Sequence, residues 1–324
     1  MIDAIHDEVG SASDLVAPRQ DGVLLSVVIV SWNTREQLKA CLSSLTTSRS
    51  ELQGPAEVIV VDNASSDGSA AMVEAEFPRI KLLQNGSNLG FARANNQAIR
   101  QSKGSYLLLL NSDTELLPGA LHQLLHFMDS LPNVGAAGPL LLNSDGSIQP
   151  SAHPMLTPER EFWRLSFLDH FLPRATYRMA TWDRQIPRQV EVLKGACLLL
   201  RREALEAVGL LDDSFFMYTE EVDLCFRLAQ AGWQLWWVPG ARVVHHGESS
   251  SRQASEEMYI QLYRSKVQFY RKYGGERRAN RFKYLIHLAY WPRIVVATLF
   301  ALTSTRSAMR VRTYRRLLAE LSGM

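Results

Sequence analysis

Glycine is missing from the places where nucleotide chemistry most often needs it. The first apolar run, residues 24–30, is followed by Ser-Trp-Asn-Thr-Arg-Glu-Gln with no Gly-x-Gly-x-x-Gly turn, and no Gly-x-x-x-x-Gly-Lys-Ser/Thr occurs anywhere. Dinucleotide oxidoreductases and P-loop chemistry are thereby set aside. Cysteine is scarce: Cys41, Cys197 and Cys225 lie far apart in apolar or helical contexts. That pattern encodes neither a disulfide framework nor a zinc site and suits a reducing compartment. A clean membrane span is lacking too, because the mostly apolar residues 284–302 are broken by His287, Pro292 and Arg293. Residues 1–22 have no basic start followed by an apolar centre and read as a flexible leader rather than a signal peptide. There is no internal repeat and no low-complexity segment.

What the chain does have is an alternation of apolar runs and helical segments. Residues 24–30, 57–61, 80–83 and 106–110 read as strands, separated by helix-forming stretches. Four consecutive leucines at 107–110 cannot alternate faces, so they predict a strand buried on both sides of a parallel sheet. Strands alternating with helices at short spacing specify an α/β fold. Further on, Asn143-Ser144-Asp145-Gly146 predicts a hairpin turn, and residues 158–170 contain a helix. Residues 190–200 form a strand interrupted by Lys194, Gly195 and Ala196. Thr34 and Thr219 stand as N-caps of the helices that follow them.

Charge divides the chain. Residues 1–263 hold 21 Lys and Arg against 31 Asp and Glu, whereas residues 264–316 hold 14 basic residues and a single acid, Glu276. Such a tail suggests a separate surface task on a membrane or nucleic acid. Its interrupted apolar stretch, followed by Arg306, Arg310, Arg312, Arg315 and Arg316, favours helices lying on anionic lipid, with no nucleic-acid role. The bland alternative is a bundle packed on the main domain with its basic face in water. The expected organisation is a leader at 1–22, a main domain at 23–263 and a basic, amphipathic, membrane-interfacial helical extension at 264–324.

Five polar clusters fall at predicted strand ends or helix starts: Ser31, Trp32 and Asn33; the loop beginning at Asp62; Asn111, Ser112 and Asp113; Glu220, Glu221 and Asp223; and His245 with His246. In open α/β sheets ligands bind where strands end at their carboxyl tips. Asp113 there could hold a hard cation, or simply cap the helix starting near residue 117. Asp62 could accept from a base or ribose, or form a turn. Glu220 and Glu221 suit the positive end of a helix, while the apolar residues 215–218 before them could raise a carboxyl pKa into the range of a general base. A histidine at a strand tip is either a core residue or part of a divalent-ion site.

The sequence resembles the family-2 glycosyltransferases of the GT-A fold, and among them the bacterial rhamnosyltransferase-like members. The resemblance is carried by Val28-Ile29-Val30-Ser31-Trp32-Asn33, the run from Val61 to Ser69, and Asn88-Leu89-Gly90-Phe91-Ala92-Arg93-Ala94-Asn95. It continues through Leu110-Asn111-Ser112-Asp113, Gly195-Ala196 with Arg201-Arg202, Phe216-Met217-Tyr218 with residues 220–224, and Val243-Val244-His245-His246-Gly247. About residues 24–275 are covered.

The resemblance implies a Rossmann-like, mostly parallel sheet flanked by helices, with the basic helical extension following. It implies that Ser31, Trp32, Asn33 and Asp62 hold the nucleoside of a nucleotide-diphosphate sugar, assisted by Gly90, Arg93, Asn95, Asn111 and Ser112. Gly195 and Ala196 would lie on the acceptor side. Asp113 would be the metal-bearing acid of an Asp-x-Asp motif, with Mg²⁺ or Mn²⁺, and His245 (alternatively His246) a further metal contact. Glu221 stands at the position of the catalytic base, with Glu220 and Asp223 as alternatives. Two positions depart from the family pattern: Asn111 replaces the first acid of Asp-x-Asp, and the base is Glu rather than Asp.

The implied activity is inverting transfer of a sugar, by resemblance rhamnose, to a lipid-linked or polysaccharide acceptor in cell-envelope glycan synthesis. The place would be the cytoplasmic face of the cell membrane. A nucleotidyltransferase would need a basic glycine-rich loop after the first strand, and none is present. A catalytically inactive nucleotide-sugar-binding or scaffold protein is the reading that Asn111 favours.

Overall fold

The computed structural model describes residues 22–49, 52, 54–171, 175–247, 255–300 and 304–324. Apart from Gly22, the leader lies outside the described residues. The elements run β1 (Leu25–Ser31), α1 (Arg35–Arg49), β2 (Ala56–Asp62), α2 (Ser69–Glu76), β3 (Lys81–Gln84), α3 (Phe91–Arg100) and β4 (Tyr106–Asn111). There follow β5 (Thr114–Leu116), α4 (Ala120–Ser130), β6 (Val134–Leu142), β7 (Ile148–Gln149), β8 (Ala152–His153) and α5 (Pro158–Leu165). The chain continues with β9 (Arg188–Gln189), β10 (Val192–Leu193), β11 (Cys197–Arg201), α6 (Arg202–Val208), α7 (Glu220–Gln230), β12 (Gln234–His245), α8 (Ser255–Leu299) and α9 (Thr305–Leu321).

The main sheet has the order β3-β2-β1-β4-β11-β6-β12-β5. Strands β1 to β4 pair in parallel, as does β12 with β6. The expectation of a wholly parallel setting for β4 fails on one side, where β11 pairs with it antiparallel, Cys197 opposite Leu110. Residues 196–201 return to the sheet from the loop region, so this strand enters at the edge where its parallel neighbours end. The leucine run behaves as its composition requires: Leu107 and Leu109 join one buried cluster, Leu108 and Leu110 the other. Helices α1, α2 and α4 cover one face, while α3, α6, α7, α8 and α9 cover the other. Each fully buried leucine contributes roughly 1.5–3 kcal/mol, which pins this strand at the centre of three layers.

The expected boundary at residue 263 falls inside α8. That helix turns at Gly275, whose backbone (φ 64°, ψ −173°) is non-helical. Tyr263, Val267 and Tyr270 before the turn are buried in the core that α7 covers, as are Phe282, Ile286 and Tyr290 after it and Leu317 and Leu321 of α9. The buried ammonium of Lys266 meets Glu161 of α5 at 2.5 Å. Burial alone would raise the Glu161 carboxyl, but Lys266 and Arg164 hold it down at about 2. Among the described residues, no helix is long and apolar enough to cross a membrane.

Candidate active site

Strand register brings the polar tips together. Ser31 pairs with Asp62, Val30 with Asn111, and His245 of β12 with Thr114 of β5. Because β11 runs the other way, its beginning lies at the same edge as the ends of its neighbours, so Gly195 and Ala196 join them; Ala196 O accepts from Asn111 N at 2.9 Å. The result is a cavity of about 730 Å³ lined by Trp32, Asn111, Ser112, Asp113, Gly195, Glu220, Glu221 and His245, among others.

Asp113 does not cap a helix. Helix α4 starts at Ala120 behind the left-handed Gly119, and the Asp113 carboxylate lies 3.3 Å from His245 Nε2. The imidazole is oriented from behind. Gln149 Nε2 donates to Asn143 Oδ1 and to His245 O, which turns its Oε1 towards His245 Nδ1 at 2.6 Å. That contact holds the ring with Nε2 turned towards the Asp113 carboxylate. A carboxylate and an imidazole nitrogen side by side in a cavity wall are an arrangement that a cation could complete, and a ligating histidine is usually held through its other nitrogen. Among the described residues no cluster of three or more His, Cys, Asp or Glu could hold an ion unaided, so diphosphate oxygens and water would supply the remaining positions, as is common for Mg²⁺. His246 is placed elsewhere: its ring nitrogens meet Glu115 at 2.6 Å and Ser144 at 2.8 Å.

The other expected residues divide. Ser31 and Asn33 are structural neighbours of the cavity rather than its walls. Ser31 bonds Thr34, which in turn bonds Ser112, and Asn33 accepts from Ser66 N and donates from its own amide to Ser65. Asp62 Oδ2 accepts from Ser65 N in a turn, while its buried Oδ1 has no hydrogen-bond partner among the described residues; Asp62 does not line the cavity. Gly90 lines the cavity, yet the space its missing side chain leaves is taken by Phe216, whose carbonyl would lie 2.3 Å from an added Cβ. Arg93 turns outward to Asp213, and buried Asn95 bonds back to Phe91 O; neither lines the cavity.

Carboxylates at the start of α7 are set by a strained approach. Tyr218 and Thr219 both adopt left-handed backbone (φ 66° and 74°), which costs non-glycine residues about 1 kcal/mol or more each. Thr219 occupies the N-cap position without capping through its side chain. The loop is held by Phe91 N donating to Phe216 O at 2.7 Å and Ser265 Oγ donating to Met217 O at 2.8 Å. Glu220 and Glu221 each aim a buried, unpartnered Oε2 into this region. Burial, then the neighbouring Glu221 charge, pushes Glu220 well above the usual carboxylate range. Burial also raises Glu221, offset by its own backbone amide and by Lys194. Asp223, by contrast, is fully engaged by Arg227 at 2.8 Å and by Lys272 and Tyr273 at 2.7 Å each, and it does not line the cavity.

A raised carboxyl binds its proton more tightly in the folded than in the unfolded chain, so stability falls as pH rises through the interval between the two. Glu220→Gln removes that penalty. We expect the variant to melt above wild type at neutral pH and the difference to vanish as pH falls below the ordinary carboxylate range; thermal melts over pH would show the opposite slope if Glu220 were stabilising as a helix-end charge.

Several lining residues were not among the expected site residues: Asn63 and Asn88, bonded to each other at 2.8 Å, His153, Lys194, and Met258, Tyr259 and Leu262 from α8. The last three come from a helix far along the chain, and only packing places them here.

Comparisons with known proteins agree on one lineage. A sequence profile described as glycosyl transferase family 2 matches residues 26–209. An N-acetylglucosaminyl-diphospho-decaprenol L-rhamnosyltransferase of Mycobacterium tuberculosis is 34% identical over 242 residues, covering 70% of this chain and 78% of the relative. The low-salt glycan biosynthesis hexosyltransferase Agl10 of Haloferax volcanii is 30% identical over 207 residues, 63% of this chain and 61% of its own. Among solved structures, the mannosyltransferase PcManGT from Pyrobaculum calidifontis, in complex with GDP-Man and Mn²⁺, superposes with a TM-score of 0.54 at 18% identity, covering 95% of this chain and 86% of that one. GalNAc-T7 with UDP, GalNAc and Mn²⁺ superposes with a TM-score of 0.52 at 20% identity, covering 70% of this chain and 44% of that one.

Proposed function

The chain belongs to glycosyl transferase family 2 and has the GT-A fold, and from that premise we propose that this glycosyltransferase moves a deoxyhexose, rhamnose first among candidates, from a nucleoside-diphosphate donor to a lipid-linked diphosphate acceptor in cell-envelope glycan synthesis. The observation that carries the reading is the cavity itself, where the Asp113–His245 pair at one sheet tip meets the Glu221 carboxylate at the start of α7, whose buried Oε2 has no hydrogen-bond partner among the described residues. Asp113 and His245 would hold Mg²⁺ or Mn²⁺, which supplies positive charge to the leaving diphosphate.

Glu221 takes the proton of the acceptor hydroxyl as that oxygen bonds to C1 of the sugar. The bond from C1 to the diphosphate oxygen breaks with its electron pair leaving on the diphosphate. One base and in-line attack invert the anomeric centre. Asp62 Oδ1 accepts from the base or ribose of the donor, and Trp32 closes the cavity beside it. A panel of nucleotide sugars with Mn²⁺, read by thermal shift, identifies the donor because a ligand of the native state raises the melting point. Transfer to N-acetylglucosaminyl-diphospho-polyprenol then tests the reaction, and a chain that binds no nucleotide sugar overturns the reading.

We also assign a membrane-facing side to this enzyme, peripheral on the cytoplasmic leaflet. Tyr284, Leu288, Trp291, Val295 and Leu299 recur every three or four residues along α8 and are 49–73% exposed. Exposed Phe167 is joined to α8 through Arg293, whose guanidinium stacks on it at 4.5 Å. Apolar side chains bordered by Arg277, Arg278, Arg281 and Lys283 match a lipid interface with anionic headgroups. Deleting the tail is no test, since it would open the core. Trp291→Glu with Leu299→Glu is expected to weaken binding to anionic vesicles by about tenfold or more without lowering the melting point. Unchanged sedimentation with vesicles, or binding indifferent to salt and to lipid charge, would refute the assignment.

A further inference from the structure

Lys194 interrupts an apolar strand in the sequence and ends up in the wall of the cavity, on the short turn between β10 and β11. Its backbone is fixed by Lys194 N donating to Ser151 O at 2.9 Å. The next residue packs directly on the start of α7: a Cβ at Gly195 would lie 3.5 Å from Glu221 Cβ and 3.8 Å from its Cγ. One turn further along α7, Cys225 Sγ points at Leu193 O, 3.9 Å away. The turn and the helix thus form one packed corner, in which Lys194 precedes the residue that packs on Glu221 and both charged residues line the cavity.

The charges around that corner are unequal in their commitments. From its own helix Glu221 faces Glu220 and Asp223, and Asp223 is already matched by Arg227 and Lys272. From α8 it is reached by Lys266, whose ammonium is committed to Glu161 at 2.5 Å. Cys225 is a buried thiol, pushed up to about 12 by burial, and carries no charge to offer. Lys194 lines the cavity together with His153 and His245, is partly buried, and has no ion pair among the described residues. Glu220 and Glu221 are adjacent, and each has a buried oxygen without a partner. Two such carboxyls do not both ionise readily, so something must choose between them.

We propose that Lys194 is a positioning residue that keeps the negative charge of the Glu220–Glu221 pair on Glu221, leaving Glu220 as the neutral partner. The inference rests on Glu221 being the proton acceptor and adds what makes it one. Glu220 lies one residue earlier on the helix, where burial and then the Glu221 charge push it well above the usual carboxylate range, whereas Lys194 opposes the rise at Glu221. Lys194 is itself lowered by burial and supported by Glu221, so each holds the other in its charged form.

The test separates this role from a structural one and from the identity of the substrates. Infrared difference titration follows the carbonyl band of protonated carboxyls, and subtraction of Glu221→Gln isolates the Glu221 proton without any turnover. In Lys194→Met, and in Lys194→Gln should the first variant fold poorly, the Glu221 titration is expected to move to higher pH, while Lys194→Arg keeps it near wild type. With dTDP-rhamnose, Mn²⁺ and the polyprenyl acceptor, the transfer rate of Lys194→Met falls about tenfold at the acid end of the profile and recovers as pH is raised. The proposal is overturned if the Glu221 band titrates at the wild-type position in both neutral variants, if Lys194→Arg shifts it as Lys194→Met does, or if activity drops by one factor at every pH.

Discussion

Glu221→Gln is expected to lower sugar transfer by about 10²–10⁴-fold, the range for a lost general base, while nucleotide-sugar affinity stays close to wild type. Glutamine keeps the size of the side chain, so the strained turn at Tyr218 and Thr219 and the packing of Gly195 on Glu221 Cβ are undisturbed. Only the proton acceptor is lost. The effect should fall on the chemical step, because the base meets the acceptor hydroxyl and not the diphosphate. Asp223→Asn serves as a contrast: it disturbs Arg227, Lys272 and Tyr273 and should lower the melting point more than the intrinsic rate. Near-wild-type transfer by Glu221→Gln, with a large loss in Glu220→Gln, would move the base to the neighbouring carboxylate.

Asp113→Ala should abolish metal-dependent donor binding, by at least about 100-fold in affinity, a loss at or beyond that seen when even a supporting partner of a metal ligand is removed. The fold should survive, since the side chain stands at a sheet edge and the bond from His246 N reaches the Asp113 backbone carbonyl, at 2.9 Å. Removing the divalent ion from wild type with EDTA should reproduce the loss, and His245→Ala should show a smaller one. Tight donor binding by Asp113→Ala in Mn²⁺ would place the cation elsewhere. With Asn111 in the position of a first acid and 3.5 Å from His245 Nε2, the proposed ion would have one protein carboxylate, so affinity in the absence of a nucleotide diphosphate should be weak.

The two variants also divide the cavity functionally. In the proposed reaction Asp113 would act on the donor and Glu221 on the acceptor, and combining the variants should lose both properties. Lys194 belongs with Glu221, and its effect should disappear in a Glu221→Gln background, where no carboxylate charge remains to be placed.

Much of this was legible in the amino-acid order. Strand and helix periods are local, so the buried leucines at 107–110, helix α6 at Arg202–Val208 and strand β6 at Val134–Leu142 could be read from neighbours a few residues apart. The polar residues that end β1, β2, β4 and β12 were visible for the same reason, as abrupt breaks in apolar runs. Local order specified the parallel strands of the first half but not every neighbour: which strand pairs with the other side of β4 depends on a segment about ninety residues away, and β11 inserts antiparallel.

What the sequence determined by itself was the alternating α/β plan, the strand tips bearing Asp62, Asn111, Asp113 and His245, and the short acidic run at the start of α7. Only the tertiary structure decided among chemically equivalent neighbours. His245 faces Asp113 because Gln149 turns its ring, while His246 is drawn to Glu115 and Ser144. Asp223 is occupied by cations from α7 and α8, while Glu220 and Glu221 keep unpartnered oxygens. Lys194 and the α8 residues Met258, Tyr259 and Leu262 enter the cavity with no motif to announce them. The physical reason is one of range: propensity and periodicity act over a few residues. Burial, charge pairing and the ionisation of a carboxyl are set instead by whatever the completed fold packs against it.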